Sequence, residues 1–244
     1  MVKTRRFRKR TYLGDPVNVI NLFNRFEVDE IALLDIGCSV HGREPDIPLI
    51  ATLAEECWVP LSYGGGISNL RQIESIILSG VEKVVLNTAI AKDLKLVRQA
   101  AKTFGSQAIV GSIDAGKKLF GGYEIYARGG TRRLRIQPAE RAKQLEDAGA
   151  GEILLQSIDR DGEMKGYDLE LIKQVTDVTS LPVVACSGAG ARAHLADPIK
   201  KAGASAAAAG SLFVFSGLER GVLINFPERS ELERLLDVTR EKRA

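Results

Sequence analysis

The chain reads as an α/β protein, a (βα)8 TIM barrel assembled from two half-barrel repeats, and three observations carry that reading. Short apolar runs suited to strands alternate with helical periodicities through brief connections, the pattern of a parallel sheet covered by helices. The second half of the chain echoes the first: DEIALLDI (29–36) corresponds to GEILLQSI (151–158), VPLSYGGGI (59–67) to LPVVACSGAG (181–190), and SGVEKVVLNTA (79–89) to AGASAAAAGSL (202–212), each pair offset by 122 or 123 positions. The length of 244 residues with 45% apolar side chains suits one barrel core, so residues 1–244 are expected to form a single domain.

Taken in order, the chain opens with an arm carrying Lys3, Arg5, Arg6, Arg8, Lys9 and Arg10, suited to a solvated terminus or to an anionic partner. Helical spacing over 16–26 follows, with Asp15 as its N-cap, then a strand over 30–36 and a helix over 48–57. The next strand stops in Gly64, Gly65 and Gly66 before a helix over 69–79. Bare amides at that helix start would suit a phosphate, although glycines are also the ordinary means of making a tight turn. Strand 83–87, helix 94–104 and strand 108–114 continue the alternation. Two glycine pairs around YEIYA within 116–135 predict a β-hairpin inserted on the loop side. Helix 138–148, strand 152–157, helix 169–178, strand 182–186, helix 191–202 and strand 206–209 complete the second half, with a last helix over 230–241. That makes seven strands. The eighth would have to lie within 1–13, a segment too cationic for a strand buried on both faces, so strand one is expected to be missing or truncated.

Composition narrows the function. The net charge of +3 is small, there is no apolar run of membrane length and no signal-peptide core, so a cytoplasmic protein without nucleic-acid or membrane partners is expected. Cys38, Cys57 and Cys186 are widely spaced and read as reduced packing residues. His41 and His194 are the only histidines and neither has an acidic or cysteine neighbour, so neither a metal site nor any cofactor is expected. Carboxylates are then the candidates for catalysis.

Barrel active sites form at the C-terminal ends of the strands. Asp35, Asn87 with Thr88, Asp114, Asp159 with Asp161, Ser187 and Ser211 all fall at or just beyond such ends, where each taken alone could equally be a turn residue or helix cap. Two small-residue turns on opposite halves suggest a long ligand with a phosphate at each end. At the other rim, Glu30, Lys83 and Glu152 each open a strand and could form a charged floor or simply be solvated.

The segments YGGGI, GSQAIVGSIDA, GAGEILLQSIDRDGEMKGYD and VVACSGAG resemble the HisF family, the cyclase subunit of imidazole glycerol phosphate synthase. The resemblance implies a (βα)8 barrel that receives ammonia from a HisH-like glutaminase docked on its floor and reacts it with a bis-phosphorylated small-molecule substrate. It implies that Asp114 is the catalytic general acid, that one phosphate meets Gly65, Gly66, Asn87 and Thr88, and that the other meets Gly162, Gly188, Gly210 and Ser211. Asp35 and Asp161 match acidic residues lining the mouth, Lys3 a mobile-loop lysine, and Glu30, Lys83 and Glu152 three of the four charged residues of an ammonia gate.

The departures bear on function. The family's first strand, with its second catalytic aspartate and the gate arginine, has no counterpart here, and Ser187 stands where the family has glycine. SIDAGKKLFGGYEIYARGGT and GVLINFPER resemble a HisF-related branch of surface-polysaccharide clusters, which implies a separate sugar amidotransferase and ammonia delivery to convert an acetamido group of a nucleotide sugar into an acetamidino group. A histidine-pathway cyclase and a non-catalytic scaffold are the alternatives.

Overall fold

Local chemistry sets where the elements start and stop. In the computed structural model, which describes residues 1–217 and 219–236, the cationic arm is an antiparallel hairpin of β1 (Val2–Arg5) and β2 (Lys9–Tyr12). Helix α1 (Pro16–Arg25) starts at a proline and is capped by the Asp15 carboxylate, which accepts from the Val17 and Asn18 amides. After β3 (Ile31–Leu34) comes a single turn not expected from sequence, α2 (Cys38–His41), then α3 (Ile47–Glu55). Strand β4 (Leu61–Gly64), α4 (Leu70–Leu78), β5 (Lys83–Leu86) and α5 (Lys95–Phe104) follow.

Strand β6 (Ile109–Lys117) runs beyond its expected end and becomes the first arm of the insertion: β7 (Tyr123–Ala127) pairs antiparallel with Asp114–Lys117, and β8 (Arg132–Arg133) pairs with β7. The second half continues with α6 (Pro138–Asp147), β9 (Glu152–Ser157), α7 (Leu169–Thr176) and β10 (Val183–Cys186). The helix expected over 191–202 is broken into a 3-10 turn (Arg192–Ala196) and α8 (Asp197–Ala202), because Pro198 lacks an amide and sits in the first turn of a new helix. Strand β11 (Ala206–Ala208), the short α9 (Ser211–Val214), the small pair β12 (Phe215–Ser216) and β13 (Gly221–Val222), and α10 (Arg229–Leu236) end the description; residues 237–241 of the expected last helix lie outside it.

The main sheet carries seven parallel strands in the order β11-β10-β9-β6-β5-β4-β3 and curls as an open (βα)8-type barrel. The arm is not its eighth strand. Among the described residues, β3 and β11 are the free edges, and Ala32 of β3 is exposed. Alternate residues along each strand face opposite sides. The outer set, with Val84, Ile109, Ile153 and Val183, packs on Ile73, Ile76, Val97, Leu145 and Val175 of the helices, each fully buried and contributing roughly 1.5–3 kcal/mol. The inner set is a smaller apolar ring of Val85, Val110 and Leu154, with Leu34, Val184 and Cys186 against it.

Helix α1 buries Val19 and Ile20 and is hydrogen-bonded to the loop before β4 by buried Asn24, which donates to the Glu56 carbonyl at 2.7 Å and accepts from the Trp58 amide at 3.1 Å. Asn24→Ala would leave both backbone groups without a partner and is expected to lower stability by about 2 kcal/mol in urea denaturation.

Candidate functional site

Parallel pairing places every strand start at one end of the sheet and every strand end at the other. At the first end, Lys83 lies between two carboxylates, 2.8 Å from Glu30 Oε2 and 3.0 Å from Glu152 Oε2, and the Ser62 hydroxyl donates to the other Glu30 oxygen. Partial burial works against the Lys83 charge, but the two glutamates outweigh it and raise its pKa above the ordinary lysine value. The three residues expected at the floor are therefore one ion-pair cluster beneath the apolar ring.

At the other end stands Asp114. It is 6% exposed and accepts from Ser112 Oγ and Gln156 Nε2, both at 3.1 Å. Burial pushes its carboxyl up to about 7 against the pull of those two donors, and the charge of Asp161 adds to the rise. Near neutrality the group exchanges a proton readily, as a general acid must. Gln156, directly opposite Asp114 in the β6–β9 register, is a site residue the sequence reading missed, although the alternation Glu152, Leu154, Gln156 puts it on the same face.

Asn87 donates weakly to the Ser112 and Tyr126 carbonyls, both at 3.4 Å, and Thr88 accepts from the Arg128 amide of the inserted hairpin. The Gly65 and Gly66 turn lies beside them. Gly65 has a φ of 125°, and a Cβ there would strike the Asp35 carbonyl, so the turn demands glycine whether or not a ligand binds. The bare helix start expected after this turn is corrected by the structure: Asn69 accepts from the Gln72 amide and Gln72 accepts from the Ser68 amide, so α4 caps itself. Asp35 is likewise occupied locally, accepting from the Gly37 and Cys38 amides and the Cys38 thiol. Burial pushes its carboxyl up, and those bonds together bring it below the usual value.

The opposite turn is covered by the arm. Asp161, almost fully buried, receives Lys3 Nζ at 3.4 Å, Thr4 Oγ1 at 2.6 Å and the Phe7 amide at 3.1 Å. Gly162 packs under the Thr4 carbonyl so closely that a Cβ would collide, and the end of the Lys3 side chain lies over Gly210. Gly188 has a φ of 112° and approaches the Gly166 carbonyl, while Ser187 before it adopts a φ of 83°, a strained conformation for a non-glycine residue. The Ser211 hydroxyl is buried without a hydrogen-bond partner. Asp159 serves the insertion, accepting from the Lys117 amide. The first strand of the arm is thus docked on the mouth, while Arg8 and β2 stay exposed to solvent. The residue that docks it most firmly, Glu163, carried no signal in the sequence: it is 7% exposed and takes a two-pronged bond from Arg5 (3.0 and 2.9 Å) and another from Arg6 (2.9 Å). The Arg5 hydrogen bonds outweigh burial and hold its carboxyl down to about 2.

No cluster among the described residues could hold a metal ion, and no helix among them is long and apolar enough to cross a membrane. A curled parallel sheet with a carboxylate at its mouth and an ion-pair cluster at its floor defines a TIM-barrel-type α/β protein. Comparison with known proteins narrows the class. Residues 1–219 match the histidine biosynthesis protein family. The chain is 49% identical over 233 residues to a Pseudomonas aeruginosa protein provisionally named imidazole glycerol phosphate synthase subunit hisF2, covering 96% of this chain and 93% of that one. It is 43% identical over 236 residues to a similarly named HisF of Leptospira interrogans (96% and 93% covered), and 39% identical over 213 residues to the imidazole glycerol phosphate synthase subunit HisF of Metallosphaera sedula (87% and 84%). The chain belongs to the HisF family, a synthase/cyclase family.

Because the Asp114 carboxyl is raised on folding, it favours the native state below its unfolded value near 4, and that contribution is lost as pH rises through about 7. Asp114→Asn is therefore expected to stabilise the protein at pH 8 relative to pH 4, by at most on the order of 4 kcal/mol, as read from the melting-temperature difference between variant and native chain across that range.

Proposed function

We propose that the chain is the synthase subunit of a glutamine amidotransferase complex, acting as one barrel domain over residues 1–244. Ammonia from a HisH-like glutaminase on the floor passes through the barrel to the mouth at Asp114. The observation that carries this reading is the Glu30–Lys83–Glu152 cluster lying beneath an apolar ring of Val85, Val110 and Leu154. Charged groups at the entrance followed by an apolar constriction admit a small neutral molecule and oppose an ion. The floor also presents Trp58 and Leu78, 77% and 81% exposed, near the starts of β4 and β5, large apolar side chains suited to a docked subunit.

At the mouth, Asp114 is the proton donor. The turn of Gly65 and Gly66 with Asn87 and Thr88, and that of Gly162, Gly188, Gly210 and Ser211, would take the phosphates of a phosphorylated substrate, with the unpartnered Ser211 hydroxyl free to donate. Asp35 and Asp161 line the rim, and Lys3 supplies a cation at the second turn. For the acceptor we propose a surface-polysaccharide nucleotide sugar, whose acetamido group becomes acetamidino through a separate sugar amidotransferase. Supporting this is the resemblance of SIDAGKKLFGGYEIYARGGT and GVLINFPER to the surface-polysaccharide branch. The proton-donor state of Asp114 favours the second reading, a histidine-pathway cyclase.

Expression in a strain lacking its own cyclase, without histidine, separates the two. The first reading expects no growth, and robust growth assigns the cyclase. In the complex, Lys83→Met is expected to leave glutamine hydrolysis running while product formation falls at least about tenfold; unchanged coupling would place the passage elsewhere. Should cyclase turnover be found, Asp114→Asn is expected to abolish it with glutaminase binding intact.

A further inference from the structure

The β1–β2 hairpin meets the loop after β9 through three separate attachments. Glu163 grips Arg5 and Arg6, Asp161 gathers Lys3, Thr4 and the Phe7 amide, and the Asp161 carbonyl accepts from the Arg6 amide at 2.9 Å. The hairpin tip also rests on the insertion, with Phe7 against Gly130. We propose that Glu163 is a positioning residue: it latches the β1–β2 hairpin over the mouth and so sets Lys3 against the Gly210–Ser211 turn. Lys3 and Arg5 are two residues apart on β1, so a clamp on Arg5 also sets the register of Lys3. The two-pronged Arg5 bond fixes orientation as well as distance, which a single lysine contact does not. Both Glu163 oxygens are consumed by the arm, Oε1 by Arg5 and Arg6 and Oε2 by Arg5, so latch and loop hold each other.

That Lys3 serves a phosphate rests on the proposed function; the latch itself does not. Hydrogen–deuterium exchange of the full chain reads the latch at the Arg6 and Phe7 amides, both of which donate to Asp161. Glu163→Gln is expected to speed their exchange at least about fivefold while the β9 amides keep native protection. Arg5→Glu with Arg6→Glu should do the same, and adding Glu163→Lys to that pair should restore protection. Native exchange in Glu163→Gln, or no restoration by the reversed pair in a chain whose β9 stays protected, would overturn the latch. Titration with inorganic phosphate then tests its consequence. Glu163→Gln and Lys3→Ala are each expected to weaken phosphate binding about fivefold, Lys3→Ala without faster exchange at Arg6. Undiminished phosphate affinity in an opened Glu163→Gln would refute the positioning of Lys3. Absence of phosphate binding to the native chain would refute the phosphate reading of the turns and not the latch.

Discussion

Strands that run the same way and present every second residue to one side impose a layered interior on this protein. Lys83 and Val85 of β5 lead to Asn87, Glu152, Leu154 and Gln156 lie along β9, and Val110, Ser112 and Asp114 along β6. Read across the sheet, these runs become an ion-pair floor where Lys83 meets Glu30 and Glu152, an apolar ring of Val85, Val110 and Leu154, and a polar mouth where the register sets Asp114 opposite Gln156. A slip of one residue would turn all of them outward into the helices, so the register is protected by every apolar residue of the outer face.

The mouth keeps acidic groups in opposite states by giving them different neighbours. Asp114 has burial, neutral donors and a neighbouring carboxylate, and its carboxyl rises; Glu163 has two guanidinium groups, and its carboxyl falls. Asp161 adds its charge to the upward push on Asp114 while accepting from Lys3, Thr4 and Phe7. The arm is thereby one carboxylate away from the acid, and its docking and the protonation of Asp114 share an electrostatic neighbour.

Features decided by local pattern were legible in the sequence. The alternation of elements, the Asp15 cap, the inserted hairpin and the grouping of Glu30, Lys83 and Glu152 at strand starts all follow from periodicity and turn chemistry. Two things were not. The docking of the arm depends on Arg5 meeting Glu163 across 158 residues, and a run of cations reads the same whether solvated or paired. The state of Asp35 turns on a competition between facing the mouth and capping its own loop, and the four-residue α2 that decides it is too short to leave a periodic trace.

On the proposed reading, the apolar ring makes a demand on the floor. An ammonium ion entering between Val85, Val110 and Leu154 would lose its hydration with no partner to replace it, a cost of several kcal/mol that a neutral molecule escapes. Any ammonium reaching the floor must therefore leave its proton there before crossing. Lys83 is in no position to take it, since the two glutamates hold it as an ammonium already. The lysine then acts by fixing both carboxylates at the entrance, which makes the arrangement of the three groups, rather than the charge of any one of them, the element that selects what passes.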